Sequence, residues 1–290
     1  MSRKNIVKKS KKKIEGFDIF LVVFLGLICI IMLYPFWYTF IGSIIPYSEY
    51  LSKTFLLFPN KIDLSAYRQI FESGDILRPL FVTAFVTIVG TFLCTFFTAT
   101  AAYALSKKFP GSALIVNLII LTMVLRPGLI PQYINLKRLG LINSIWVYIL
   151  PTLIIVYNFV IMRTSFAAFP KDIEESARID GCSEYGIFFK FVIPLSKAIL
   201  ATVALFYAVQ LWNTYSASVF YVTDNKLKTI QEYLSRIIME DPEANTEEVK
   251  IFSETVKLAN VIVSVTPILI VYPFLQKYFV KGVMIGSVKG

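Results

Sequence analysis

Ile19-Phe-Leu-Val-Val-Phe-Leu-Gly-Leu-Ile-Cys-Ile-Ile-Met-Leu-Tyr-Pro-Phe-Trp-Tyr-Thr-Phe-Ile-Gly-Ser-Ile-Ile-Pro-Tyr-Ser48 contains no Asp, Glu, Lys or Arg. A spanning helix needs about 17–25 mostly apolar residues, and a charge at mid-membrane costs about 2.5–3.5 kcal/mol on insertion scales. Five further runs lack the same four residue types: 79–106, 109–125, 139–162, 198–223 and 258–276. Soluble domains are about 45–50% apolar, whereas this chain of 290 residues is 56% apolar with a mean hydropathy of +0.67. Membrane-spanning strands would be near ten residues with alternating polarity, which these runs are not. The expected fold class is all-α, a polytopic membrane protein with six transmembrane helices.

The basic start from Arg3 to Lys13 precedes an apolar run, as in a secretory signal. That run is too long for a signal, and no small-x-small cleavage site follows it, so it is read as an uncleaved first helix. With the N-terminus in the cytoplasm and one crossing per run, seventeen basic and seven acidic residues fall inside and twelve of each outside. The net charge of +10 then lies wholly on the inner side. Lys and Arg near the ends of spans set orientation by staying inside. Both termini are therefore expected in the cytoplasm. The organisation is a basic N-terminus over 1–16, a six-span domain over 17–282 and a tail over 283–290. The positive charge follows the membrane face that carries anionic lipid, so the lipid bilayer and no nucleic acid is the expected partner.

Catalytic and metal chemistry find little support. There is no histidine, and the runs contain no acid, which argues against a membrane-embedded enzyme and against a metal site. Cys29, Cys94 and Cys182 show no disulfide spacing. A Gly-x-x-x-x-Gly-Lys-Ser/Thr phosphate loop is absent, so the chain is not expected to bind ATP.

The most informative soluble stretch is the inner loop between the fourth and fifth runs, Pro170-Lys-Asp-Ile-Glu-Glu-Ser-Ala-Arg-Ile-Asp-Gly-Cys-Ser-Glu-Tyr-Gly-Ile-Phe-Phe-Lys-Phe-Val-Ile-Pro194. Asp172 stands where an N-cap should, with Glu175 three residues on, in the pattern of a capping box. Ile173 and Ala177 share a face at i, i+4. Gly181 occupies a natural C′ position. Ser183 can cap a second helix that ends before Pro194. This predicts helix, glycine turn, helix. Such a loop either docks into a groove on a partner, with Ser176, Ala177 and Gly181 permitting close approach, or lies on the membrane surface as an amphipathic connector.

The segment closely resembles the cytoplasmic signature loop of bacterial ABC importer permeases, whose pattern is Glu-Ala-Ala, three residues, Gly, nine residues, Ile-x-Leu-Pro. Here the match reads Glu175-Ser176-Ala177, three residues, Gly181, nine residues, Phe191-Val192-Ile193-Pro194, with Ser176, Phe191 and Ile193 as departures. The resemblance extends along almost the whole chain after the basic start. Arg126-Pro-Gly-Leu-Ile-Pro-Gln-Tyr133, Leu139-Gly-Leu-Ile-Asn-Ser-Ile-Trp146, Ile149-Leu-Pro151, Trp212-Asn213 and the end from Tyr272 to Gly290 are similar to the carbohydrate-uptake branch, of maltose type with six spans, in a subgroup for oligosaccharides in Gram-positive bacteria.

The resemblance implies a permease subunit of an ATP-binding-cassette importer that translocates an oligosaccharide across the bacterial plasma membrane. It implies a second permease, two ATPase subunits and an extracellular solute-binding protein as partners, with ATP and magnesium on the ATPase and no cofactor on this chain. Glu175, Ser176, Ala177, Gly181 and Pro194 are implied to form the coupling helix, in the cytoplasmic loop between spans four and five. The outer loop 224–257 is implied to contact the binding protein through Glu240, Asp241, Glu243, Glu247, Glu248 and Glu254, and the tail from Gly282 to enter the ATPase dimer. The alternatives are an ABC permease for a non-sugar solute and a self-sufficient secondary transporter or channel.

Polar and helix-breaking residues inside spans are the candidates for a substrate path. Asn158, Trp212, Asn213 and Tyr215 are such residues, since sugars are held by aromatic faces and amide hydrogen bonds. Helix–helix hydrogen bonds for the amides and interfacial belting for the aromatics compete with that reading. Arg126-Pro127-Gly128 and Pro131 are expected to interrupt the third run near its outer end, with Arg126 snorkelling to the interface.

Overall fold

The computed structural model describes residues 16–53, 55–125, 127–239 and 253–287, and every regular element among them is helical. In chain order the helices are α1 (Gly16–Ser43), α2 (Tyr47–Ser52), α3 (Ser65–Ser73), α4 (Leu77–Ser106), α5 (Ser112–Val124), α6 (Leu129–Arg138) and α7 (Val156–Ala167). Then come α8 (Lys171–Ile179), α9 (Glu184–Ile187), α10 (Ile193–Leu195), α11 (Lys197–Trp212), α12 (Ser216–Tyr221), α13 (Ile230–Met239) and α14 (Glu254–Ser287). Short 3-10 turns at Ile145–Val147 and Leu150–Thr152 precede α7.

All six charge-free runs carry helix. Three are continuous and long and apolar enough to cross a membrane: Ile19–Ser43, Leu77–Ser106 and Glu254–Val271. Two more are broken pairs: Ile145–Thr152 with Val156–Ala167, bent by 46°, and Glu184–Leu195 with Lys197–Trp212, bent by 82°. The remaining one, α5, has 13 residues, or about 20 Å at 1.5 Å per residue. The chain leaves helical geometry before α6, around Pro127 and Gly128, as the sequence predicts. Arg126 lies outside the described residues.

One compact unit comprises α1, α2 and residues 253–262. Along α1 large apolar side chains such as Leu25, Ile30 and Phe36 are exposed. In water that surface would aggregate, whereas in a bilayer it meets hydrocarbon. At the end of α1, Ile41, Ile45 and Leu56 form a small buried cluster, and Trp37 Nε1 donates to the Leu57 carbonyl at 2.8 Å. The Glu49 carboxylate folds the following segment, accepting from Lys53 Nζ at 2.7 Å and the Asn60 amide at 2.8 Å. These bonds, the one from Lys53 first, hold the Glu49 carboxyl below its ordinary pKa.

The second unit comprises α4 to α13, with α4 packed against both α7 and α11. Val86, Cys94, Phe159, Met162, Val203 and Leu211 lie in its core. Gly90 permits the close approach of α4 and α11: a Cβ there would sit 2.7 Å from Leu211 Cδ1 and 3.3 Å from Ile149 Cγ1. Small residues play this part in membrane bundles because hydrocarbon supplies no hydrophobic drive between helices.

The break before α7 is satisfied by side chains. Tyr207 on α11 accepts from the Ile155 amide at 2.9 Å and shares a 2.7 Å hydrogen bond with Thr98 on α4. Helix breaks at membrane depth are tolerated only when the freed backbone groups find protein partners. Tyr207→Phe is expected to strand the Ile155 amide and lower stability by about 1–3 kcal/mol. The check is the temperature at which half of the detergent-solubilised chain has unfolded. A midpoint equal to wild type contradicts this role for Tyr207.

The second break corrects one expectation. The helical path after Ser183 does not stop before Pro194 but passes through it to Leu195. A π turn over Phe188–Val192 runs into α10, and Pro194 stands in the first turn of that helix.

The start of the 224–257 loop is structured. Asn143 Oδ1 accepts from the Thr223 and Asp224 amides, each at 2.9 Å, and Arg78 Nε donates to the Lys226 carbonyl at 3.0 Å. Thr83 Oγ1 accepts from the Ile230 amide at 2.8 Å, tying α13 to α4. Of the acidic residues expected to meet a binding protein, Glu240, Asp241, Glu243, Glu247 and Glu248 lie outside the described residues. Glu254 pairs with Lys257 at 3.1 Å.

Candidate functional site

The loop between α7 and α11 forms the predicted helix, glycine turn and helix. Helix α8 ends in a Schellman motif: the Gly181 amide donates to the Arg178 carbonyl at 3.0 Å and the Cys182 amide to the Ala177 carbonyl at 2.9 Å. Gly181 sits at φ +80°, the left-handed region the motif requires. Ser183 Oγ then caps α9 by accepting from the Gly186 amide at 3.2 Å, as expected. The start of α8 differs. Pro170 is the N-cap, and Asp172 is the second helical residue with no side-chain cap bond. The proline has φ −60° and ψ 119°, already the geometry from which a helix starts, so the helix begins two residues too early for a capping box. The acids of the first turn still face the positive end of the helix dipole.

One face of this loop is anchored. Ala177 is buried, and the buried Glu174 pairs with Lys107 at the end of α4. Lys107 Nζ also lies 4.4 Å from the centroid of the Tyr103 ring. Arg178 binds Glu184 at 2.7 Å, bridging α8 and α9, and that carboxylate raises the guanidinium pKa above its ordinary value. The opposite surface is open. Ile179 is 86% and Tyr185 80% exposed, and Glu175, Ser176 and Gly181 are exposed with them. Pro194 is also exposed, at the far end of the segment. Large apolar side chains held rigidly at a surface mark a site of association.

Of the path candidates, the structure brings three together. Trp212 ends α11, Asn213 follows it and Tyr215 precedes α12, so all three flank one helix break. Trp212 is buried, Asn213 exposed and Tyr215 41% exposed. Asn213 Nδ2 donates to the Val209 carbonyl at 2.8 Å, and the Tyr215 hydroxyl accepts from Ser235 Oγ at 3.2 Å. Asn158 is instead buried in the packed face of α7. The sequence reading passed over α4, where Thr83, Thr87, Thr91 and Thr95 recur every fourth residue. The hydroxyls of Thr87, Thr91 and Thr95 are buried and make no hydrogen bond among the described residues. The i, i+4 threonine spacing inside a charge-free run was the available signal.

Comparison with known proteins places this architecture. Protein LplC of Bacillus subtilis (strain 168) is 40% identical over 280 residues, 94% of this chain and 95% of that protein. The polygalacturonan/rhamnogalacturonan transport system permease protein YtcP of the same organism is 39% identical over 281 residues, 94% of this chain and 98% of that protein. Among solved structures, a chain from a bacterial ABC transporter involved in the import of the acidic polysaccharide alginate superposes with a TM-score of 0.85 at 31% identity, covering 91% of this chain and 96% of that one. The family model described as the binding-protein-dependent transport system inner membrane component matches residues 17–285, and this chain belongs to that family.

Proposed function

We propose that this chain is one of two permease subunits of an ATP-driven importer that carries an oligosaccharide into the cell. It crosses the plasma membrane six times with both termini in the cytoplasm. Each broken pair counts as one span, and α5 with the segment before α6 counts as another. The loop 170–194 is the coupling helix, and its exposed surface with Glu175, Ser176 and Gly181 seats in a partner ATPase. ATP and magnesium act on that partner, and two ATPase subunits serve the two permeases. An extracellular binding protein delivers the sugar to the outer loops. Nucleotide-driven motion of the ATPases then rocks the two permeases between outward- and inward-facing states.

The observation that carries the reading is the rigid two-helix turn at Gly181, anchored by Lys107–Glu174 on one side and bare on the other. Support for an oligosaccharide comes from the names of the relatives, which include polygalacturonan/rhamnogalacturonan and alginate systems. The test is uptake of labelled oligosaccharides by cells with and without this chain. Loss of oligosaccharide uptake alone is the expected result. Intact oligosaccharide uptake with loss of an unrelated solute overturns the substrate class.

Asn213, Trp212 and Tyr215 are placed on the sugar path by this reading, with Asn158 behind them. Alanine at both Asn213 and Tyr215 removes an amide donor and an aromatic face. Two neutral contacts of about 0.5–1.5 kcal/mol each predict an uptake deficit of about tenfold at unchanged protein level. Unchanged uptake removes both residues from the path.

A further inference from the structure

A cavity of about 1240 Å³ lies between the end of α4, the start of α5, the end of α7 and the α8–α9 loop. Its lining runs along one face of α4 from Lys107 back to Phe96. Eleven residues at 1.5 Å each make about 16 Å, close to half the roughly 30 Å hydrocarbon core. The two ends differ in chemistry. Toward Phe96, which is exposed, the wall is apolar. At the other end the lining carries Lys108, Arg163 and Lys171.

Among the described residues, no carboxylate pairs with these three cations. The carboxylates of Glu174 and Glu184 on the same lining are committed to Lys107 and Arg178. Arg163 gives its Nε to the Leu105 carbonyl at 2.8 Å, and none of Lys108, Arg163 and Lys171 forms an ion pair among the described residues. Only Glu175 remains as an unpaired acid on this wall, so the open end carries excess positive charge.

We propose that this cavity binds an anionic phospholipid, with its phosphate held by Lys108, Arg163 and Lys171 and its acyl chains laid along the apolar wall toward Phe96. A guanidinium and two ammonium groups suit a phosphodiester, and basic pockets at the cytoplasmic ends of spans draw anionic headgroups. The leaflet rests on the cytoplasmic placement of the 170–194 loop proposed above. The lipid also touches α8 directly, which puts the anionic lipid of the membrane in contact with the element proposed to receive the ATPase stroke.

The test is native mass spectrometry of the whole complex released from nanodiscs. The nanodiscs contain phosphatidylglycerol or phosphatidylcholine, with and without added inorganic phosphate. Wild type is compared with Lys108→Gln/Lys171→Gln and with Lys108→Glu alone. Wild type is expected to retain phosphatidylglycerol but not phosphatidylcholine, and both variants to retain about tenfold less. Equal retention by wild type and variants overturns the site. Equal retention of the two lipids overturns the charge basis. Displacement of the lipid by inorganic phosphate overturns the lipid assignment in favour of a free anion. The same spectra report whether an ATPase is attached, so failure of the lipid site and failure of the importer reading are read separately.

Discussion

Replacing Gly181 with valine is expected to cut ATP-driven uptake by tenfold or more while the chain still reaches the membrane. The residue sits at φ +80°, where an L side chain costs about 1–2 kcal/mol and a β-branched one more. Space is not the obstacle, because nothing lies within 4 Å of an added Cβ. The strain acts on the turn itself. Relief of φ breaks the hydrogen bonds that the Gly181 and Cys182 amides donate and changes the angle between α8 and α9, which Arg178–Glu184 spans at 2.7 Å. The surface carrying Ile179 and Tyr185 then no longer presents one fixed shape. Gly181→Asn is the control, since asparagine tolerates the left-handed region, and it is expected to keep more than half of the uptake. Equal losses in the Val and Asn variants would show that bulk at the surface, not backbone strain, governs the loop.

Glu174→Ala is expected to lower stability by about 2 kcal/mol, a value reduced from the 3–5 kcal/mol of a fully buried pair because its lysine partner is partly hydrated. The Glu174 side chain is 10% exposed and that of Lys107 28%. Removing the carboxylate leaves the ammonium in a partly buried place beside the Tyr103 ring. The pair also ties α8 to the end of α4, so coupling is lost with stability. The companion variant Lys107→Met/Glu174→Leu replaces the pair by apolar volume and is expected to recover more than half of the loss. Thermal midpoints of the detergent-solubilised complex make the comparison. A Glu174→Ala midpoint equal to wild type, or a double variant less stable than the single one, contradicts this account.

The membrane class was legible because a charge inside hydrocarbon is penalised strongly enough to leave blank runs in the sequence, and helix was found on all six. Their continuity was not legible. The bends of 46° and 82° depend on tertiary partners such as Tyr207, which lies 52 residues from the amide it satisfies. The turn at Gly181 and the cap at Ser183 were legible because each is local, decided within a few residues. Asp172 was misplaced by two residues because Pro170 could serve as N-cap without a side-chain bond. The second helix was ended too early because Pro194 stands in the first turn of α10 after a π turn, which no propensity rule marks. Asn213 and Tyr215 were singled out by residue type alone, and the α4 threonines were passed over because threonine in a membrane helix is common and its partners are not local.

The most direct measurement is mass spectrometry of the proteins that co-purify with this chain from gently solubilised native membranes, beside a Gly181→Arg variant. The account predicts a second permease in both samples, and an ATPase with the wild type that is lost with the variant. Recovery of the chain alone, or of the same partners in equal amounts with both forms, would contradict the assignment of loop 170–194 as the element that couples transport to ATP.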